Sequence, residues 1–304
     1  MPEYPDIVVY IEHLSQRINQ NVLHDIRLHS PFFLRTAQPP LSSLRGSTVQ
    51  EIRRLGKRIV FVFPDELFLV LHLMIAGRLH WKAPGAALNR KTGLAALEFA
   101  EGTLTITESG TKKRASLHLV QGEEDLGTFD RGGLNVLQAS LAEFAGRLRS
   151  ENHTLKRTLT DPRLFDGIGN AYSDEILHHA RLSPVQLTQR LSEEQIERLY
   201  EACRSQLHQW TDRLRAEAGD TFPEKVTAFR PEMAVHGKFN TPCPVCGTLV
   251  QRIRYADNET NYCPRCQTEG KLLSDRSLAR LLRNDWPKTI DALENRQQIG
   301  RAHV

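Results

Sequence analysis

The 304-residue sequence predicts an α+β chain of several domains, with a strand-rich N-terminal part, a helical middle and a short C-terminal β-hairpin. Three observations predict it. Short apolar runs broken by turn signals fill residues 22–120. Apolar residues at helical spacing dominate after about 135. Two Cys-x-x-Cys pairs lie close together between 243 and 266.

Taken in order, Ile7, Ile11, Leu14 and Ile18 recur at helical spacing and predict a helix over 6–18. "RIVFVF" (58–63), the turn "PDE" and "LFLVLHLMIAGRLHW" (67–81) read as successive strands, and "GLAALEF" and "TLTITES" flank a second turn, "AEG". Several short strands joined by turns predict a β-sandwich or barrel. "LAEFAGRLRS" and "NHTLKRTLTDPRLF" (152–165) read as helices, and "GIGNAYSDEILHHARLSP" as a glycine-bearing turn, a helix and a stop at Pro184. Ser192 caps a long helix with Gln195 three residues on, as in a capping box. Its apolar stripe is Ile196, Leu199, Cys203, Leu207, Trp210 and Leu214, so Cys203 reads as a small buried hydrophobe. The proline-containing stretch 221–242 reads as a linker. The expected segments are therefore 1–134, 135–230, 238–271 and a C-terminal extension, 272–304, in which Leu278, Leu281 and Leu282 predict a helix. The closing "QIGRAHV" carries no usable pattern.

Composition excludes some classes. At 40% hydrophobic and 25% charged the chain is ordinary for a soluble protein. No window approaches the apolar length of a transmembrane helix, and a start with acids and two prolines does not read as a signal peptide; a cytoplasmic location is expected. The net charge of +4 barely favours nucleic acid. Local runs favour it more: "RRLGKR" (53–58) holds four cations in six residues, and "TKKRASLH" (111–118) three adjacent cations and a histidine. Such runs are also found on solvated faces.

"CPVCGTLVQRIRYADNETNYCPRC" has the spacing C-x2-C-x16-C-x2-C. Two thiolate pairs joined by a hairpin-length spacer suit one tetrahedral Zn2+ held by Cys243, Cys246, Cys263 and Cys266. Two disulfides are disfavoured in a cytosolic chain, and redox chemistry does not call for two such pairs in one short segment. Four protein ligands close the metal's shell, so the role is structural, pinning a hairpin too short for a core of its own.

The "PE" start, the helical "GIGNAYSDEIL" and the four-cysteine hairpin, in that order, resemble the formamidopyrimidine-DNA glycosylase / endonuclease VIII family over roughly residues 2–271. The resemblance implies an N-terminal β-sandwich, a helix–two-turn–helix domain and a zinc finger. It implies a bacterial-type, monomeric, bifunctional repair enzyme acting on damaged double-stranded DNA. Such an enzyme excises an oxidised base, formamidopyrimidine, 8-oxoguanine or an oxidised pyrimidine, and then cleaves the strand as an AP lyase. Pro2, freed of Met1, would present a secondary amine that attacks the sugar C1′ and gives an iminium. Glu3 beside it would shuttle protons. Lys57 in "RLGKRIVF" matches a hairpin lysine near the lesion phosphate, Asn170 in "GIGN" a phosphate-binding asparagine, and Lys156 in "TLKR" another basic position near the DNA backbone. Taken alone, Lys57 also fits a solvated strand end, and Asn170 a helix N-cap.

The sequence departs from the family pattern in places. Counting back from Cys263, Asn258 stands where the family finger carries an arginine, which puts β-elimination ahead of the final δ-elimination; Arg252 or Arg254 could compensate. Met74 in "HLMIAG" is the candidate to fill the void left by a flipped base, but it is one residue out of register with the family methionine, and "TESGTKKRASLH" lacks the family's arginine–phenylalanine pair. Asp6 stands in place of the family's glutamate. Two other readings stay open: an AP lyase without base removal, and a non-catalytic nucleic-acid-binding module.

Overall fold

The computed structural model describes residues 1–255, 258–274, 287–293 and 295. The chain clusters into two units, one comprising 1–133 and 208–228, the other 134–207 and 229–304.

The first unit opens with helix α1 (Tyr4–Ile18), whose Ile7, Tyr10, Leu14 and Ile18 are fully buried. Eight strands follow: β1 (Asp25–Leu28), β2 (Glu51–Leu55), β3 (Arg58–Phe63), β4 (Leu67–His72), β5 (Gly77–Lys82), β6 (Gly93–Phe99), β7 (Gly102–Glu108) and β8 (Ser116–Gln121). They form two antiparallel sheets, ordered β1-β6-β7-β5 and β2-β3-β4-β8. Leu79, Leu97, Leu104 and Ile106 of the first sheet and Ile59, Phe61, Leu69, Leu71 and Leu117 of the second share one core with α1. The arrangement is a sandwich, with two separate sheets contributing inward side chains. The second sheet is covered on its other face as well. There Val60, Phe68, Val70 and Val120 pack on Leu126 of helix α2 (Glu123–Gly127) and on Phe129. Burial on both faces is why β3 and β4 read as continuous apolar runs, with no strict alternation.

The second unit holds helices α3 (Leu141–Arg149), α4 (Leu155–Thr160) and α5 (Asn170–His179). Helix α6 (Glu193–Ala218) begins in this unit and ends in the first. The capping box expected at Ser192 is present: Gln195 N donates to Ser192 Oγ at 3.2 Å and Ser192 N donates to Gln195 Oε1 at 3.1 Å. Cys203 on α6 is fully buried. The helix expected over 152–165 is shorter, since α4 stops at Thr160; Pro162 forces the preceding Asp161 out of helical geometry, to ψ 114°. Helix α5 also ends before Pro184, where Ala180 caps it and Arg181 turns left-handed at φ +53°. The finger, expected as a separate segment, clusters with these helices. It consists of strands β9 (Gln251–Tyr255) and β10 (Asn258–Tyr262), paired antiparallel, and helix α7 (Pro264–Thr268).

The linker expected over 221–242 has little regular structure, yet its two ends are anchored. Phe222 packs on Tyr10 and His13, and Val226 joins the sandwich core. The amides of Ala234, Val235 and His236 bind Glu175 of the second unit. Leu278, Leu281, Leu282 and the 298–304 tail lie outside the described residues. Among the described residues no helix is long and apolar enough to cross a membrane.

Candidate active site and metal centre

In the first unit, Pro2 and Glu3 are buried at the start of α1. Glu3 is the N-cap, and it makes a reciprocal capping box with Asp6: its backbone N–H donates to Asp6 Oδ2 at 2.9 Å, and its side chain accepts from the Asp6 amide. A Glu/Asp pair does the work usually done by Ser/Thr and Glu. Two otherwise orphaned donors are satisfied, and the Glu3 carboxyl is fixed at the positive end of a 15-residue helix. Burial lowers the pKa of the Met1 terminal amine below its ordinary 8.0; Glu3 and Asp6 oppose the shift, and Arg78 and Lys57 reinforce it. Arg78 is itself tied down, donating through Nη1 to the Gly77 and Ile75 carbonyls at 2.7 and 3.3 Å.

Lys57 lies in the two-residue turn between β2 and β3, where Leu55 pairs with Arg58. Gly56 supplies the φ of +63° that so tight a hairpin needs. Arg54 connects this turn to the start of α1. Its guanidinium sits 4.7 Å above the Tyr4 ring and donates to the Gly56 carbonyl at 2.7 Å. Arg58 is held over Phe129 and donates to its carbonyl. Behind the turn, His72 pairs with Arg58 across the sheet, and its pKa is lowered to about 4 by burial, with Arg58, Lys57 and His118 adding repulsion. Met74 lies in the 73–76 connection at φ +52° and is half-buried, while its neighbour Ile75 is 55% exposed.

The second unit brings Lys156 and Asn170 together. Lys156 Nζ donates to the Asn170 carbonyl and to Asp174 Oδ1, each at 2.6 Å. Asp174 is fully buried, and its other oxygen meets His236 Nδ1 at 2.8 Å and the Asn261 amide at 3.2 Å. Asn170 opens α5, and its Nδ2 donates to the Glu259 carbonyl of β10 at 2.9 Å. Glu175 is also buried, which pushes its pKa up, while the three backbone amides of 234–236 pull the other way. Arg252 and Arg254 both reach Glu259 Oε2, at 3.2 and 3.4 Å, and Arg252 lies 4.0 Å from the Phe239 ring centre. Asn258 opens β10, and its side chain lies outside the described residues.

Sequence reasoning missed Arg54, Arg78, Asp174, Glu175 and His236. Arg54 had a trace, being three residues before Lys57 in a cationic run. The acidic pair on α5 had none, because its partners lie about 60 residues further along the chain.

All five cysteines are free. Cys243, Cys246, Cys263 and Cys266 place their sulfurs within 4.8 Å of one another. The Cys243–Cys266 and Cys246–Cys263 separations are 3.9 and 3.4 Å. Four sulfurs at about 2.3 Å from one Zn2+ lie about 3.8 Å apart in a tetrahedron, so the donor set fits one structural zinc. The first turn that shapes it is backbone-made, with Gly247 N donating to Cys243 O and Cys243 N to Thr248 O, and at the second Cys263 N donates to the Gln267 side chain at Oε1.

Comparison with known proteins agrees with each part. Residues 1–114 match the formamidopyrimidine-DNA glycosylase N-terminal domain, 135–213 the formamidopyrimidine-DNA glycosylase H2TH domain, and 241–268 the zinc finger found in FPG and IleRS. A formamidopyrimidine-DNA glycosylase of Desulfitobacterium hafniense is 30% identical over 279 residues, covering 88% of this chain and all of that one. An uncharacterized formamidopyrimidine-DNA glycosylase-like protein of Mycobacterium tuberculosis is 40% identical over 151 residues, half of this chain and 94% of the relative. Among solved structures, Lactococcus lactis Fpg bound to DNA containing an abasic site superposes with a TM-score of 0.78 at 26% identity, covering 88% of this chain and 99% of that one. MutM bound to DNA containing carbocyclic 8-oxo-G gives 0.78 at 26% identity, with 88% and 100% covered. With its sandwich, helices and zinc finger each matched in the same order, this chain belongs to the formamidopyrimidine-DNA glycosylase family.

Proposed function

We propose that this protein excises oxidised bases from double-stranded DNA and cleaves the resulting abasic site, with Pro2 as the nucleophile once Met1 is removed. The observation that carries this reading is the setting of the N-terminus. Pro2 is buried next to a carboxyl fixed by the capping box, and the Met1 amine one residue before it has its pKa lowered by that burial, with Arg78 and Lys57 adding to the shift. Once Met1 is removed, the same burial and the same cations would act on the Pro2 amine and favour its unprotonated form, which is the form that attacks.

In the proposed reaction, the Pro2 nitrogen lone pair forms a bond to C1′ as the glycosidic bond breaks, and the base leaves with that electron pair and a proton. Glu3 handles the proton traffic. The amine loses its proton, the sugar ring opens as the C1′–O4′ bond breaks and O4′ takes up a proton, and the nitrogen lone pair completes the C1′=N iminium, which acidifies C2′. Loss of a C2′ proton sends electrons towards the iminium nitrogen and expels the 3′ phosphate, which is β-elimination. Lys57 supplies positive charge to a phosphate near the reacting sugar. Lys156 and Asn170 contact the DNA backbone, a role consistent with the two-turn geometry that aims α5's first residues at an anion. δ-Elimination is slow, because asparagine at 258 carries no charge and both nearby arginines are paired with Glu259. In the 73–76 connection, Ile75 is the more exposed apolar side chain beside Met74 for filling the space of a flipped base.

The test is borohydride trapping on duplexes carrying either an oxidised base or a pre-formed abasic site. Both should give a covalent adduct whose peptide map places the sugar on Pro2, and one extra N-terminal residue should abolish it by turning that nitrogen into an amide. Trapping on the abasic duplex alone would reduce the activity to a lyase. Adduct formation by the extended protein at the unmodified rate would remove Pro2 from the mechanism.

A further inference from the structure

Helix α5 presents a polar side chain to the finger at every fourth residue. Asn170 Nδ2 donates to the Glu259 carbonyl, Asp174 Oδ2 accepts from the Asn261 amide, and His178 Nε2 lies 3.3 Å from Cys243 Sγ. Positions 170, 174 and 178 follow i, i+4, i+8 and so lie along one face of the helix, spanning about 12 Å. Glu259 and Asn261 are alternate residues of one strand. The stripe on the helix and the row on the strand therefore run together, and His178 extends the stripe to the metal centre.

The chemistry of the third contact follows from the zinc. Each cysteine binds the metal as thiolate, with no proton to give, so a hydrogen bond between His178 and Cys243 can only have the imidazole as donor. Four thiolates around one Zn2+ leave a net negative charge, and Cys243 is 2% exposed. A buried anion needs donors. Among the described residues, the side chain that reaches Cys243 from outside the finger is His178, itself 6% exposed.

We infer that His178 is a positioning residue for the zinc centre, whose Nε2–H donates to the Cys243 thiolate and fixes the finger on the same helix that carries Asn170. It holds the imidazole as the Nε2–H tautomer, stabilises the ligating sulfur and completes the register begun by Asn170 and Asp174. Groups that hydrogen-bond a metal ligand commonly change metal affinity 10–100-fold when removed.

The zinc-loaded full chain provides the test. In protein labelled with 15N at histidine, the His178 ring should carry its proton on Nε2, with slow solvent exchange. A proton on Nδ1 would overturn the inference without any substitution. His178→Phe keeps a planar ring of similar bulk and removes the donor. It should release zinc to a chromogenic chelator at least ten-fold faster than the unsubstituted chain, and shift the thiolate-to-cobalt charge-transfer band of the cobalt-substituted protein to lower energy. His178→Gln, which restores an N–H, should recover part of both. A folded His178→Phe protein with unchanged zinc release and an unchanged cobalt band would also overturn it. Zinc content of the unsubstituted chain, measured alongside, separates failure of the metal assignment from failure of the role given to His178.

Discussion

Asp6 shows how much one side chain can set. It accepts the Glu3 amide and gives its own amide to the Glu3 carboxyl, so it orients the proposed acid–base group without contacting a substrate. Asp6→Ala should cost about 1 kcal/mol of stability, the usual cost of losing a cap, and should slow trapping at Pro2. Asp6→Asn retains an acceptor for the Glu3 amide and should recover most of the stability, which thermal unfolding will measure beside trapping rates. His72 makes a pH argument. Its folded pKa of about 4 lies below its unfolded value near 6.5, so the unfolded chain binds the extra proton between those limits. The stability from keeping His72 neutral is complete above about pH 6.5 and is lost as pH falls towards 4. His13 and His118 are lowered by burial in the same sense. Denaturant titrations should show stability falling through this window, and His72→Gln should flatten the fall.

At the level of elements, the finger hairpin combines cations with an acid that restrains them. Glu259 on β10 takes both Arg252 and Arg254 of β9 on one carboxylate oxygen. Glu259→Gln should release Arg252 and Arg254 from this shared carboxylate, tighten DNA binding several-fold at low salt, and steepen the log–log salt dependence by up to about 0.9 per cation engaged. Fluorescence anisotropy at several salt concentrations measures both quantities, and an unchanged slope would mean the arginines do not face DNA. Elements also show what sequence could and could not reveal. The α6 cap, the α1 stripe and the cysteine spacing were legible because their partners are close in sequence. The contacts that place Lys57 and Lys156 were not. Arg54 works through Tyr4, which is 50 residues away, and Asp174 through His236, 62 residues on. Helix α4 was overestimated because periodicity outweighed the proline at 162.

For the whole molecule, sequence order and spatial grouping diverge. The family resemblance spans the sandwich, the helices and the finger in linear order, but the chain groups the finger with the helices and the end of α6 with the sandwich. Two largely separate cores predict separable losses. Chelation of zinc, or Cys263→Ser, should disorder the finger and weaken DNA binding, while the β-sheet circular dichroism of the sandwich persists. Metal analysis should find one zinc per chain before chelation.

Residues 221–242 are fastened at both ends, by Phe222 and Val226 to the sandwich and by 234–236 to Glu175. The backbone passes between the two units three times, after 133, within α6 and after 228. A protease that nicks the 227–233 stretch therefore leaves both units covalently joined through the other two passages, with the C-terminal fragment still gripped by Asp174 and Glu175. Such a clipped protein should migrate as one species on a native gel and as two on a denaturing one, and its two pieces should be recoverable as a split pair that reassembles on mixing in the presence of zinc.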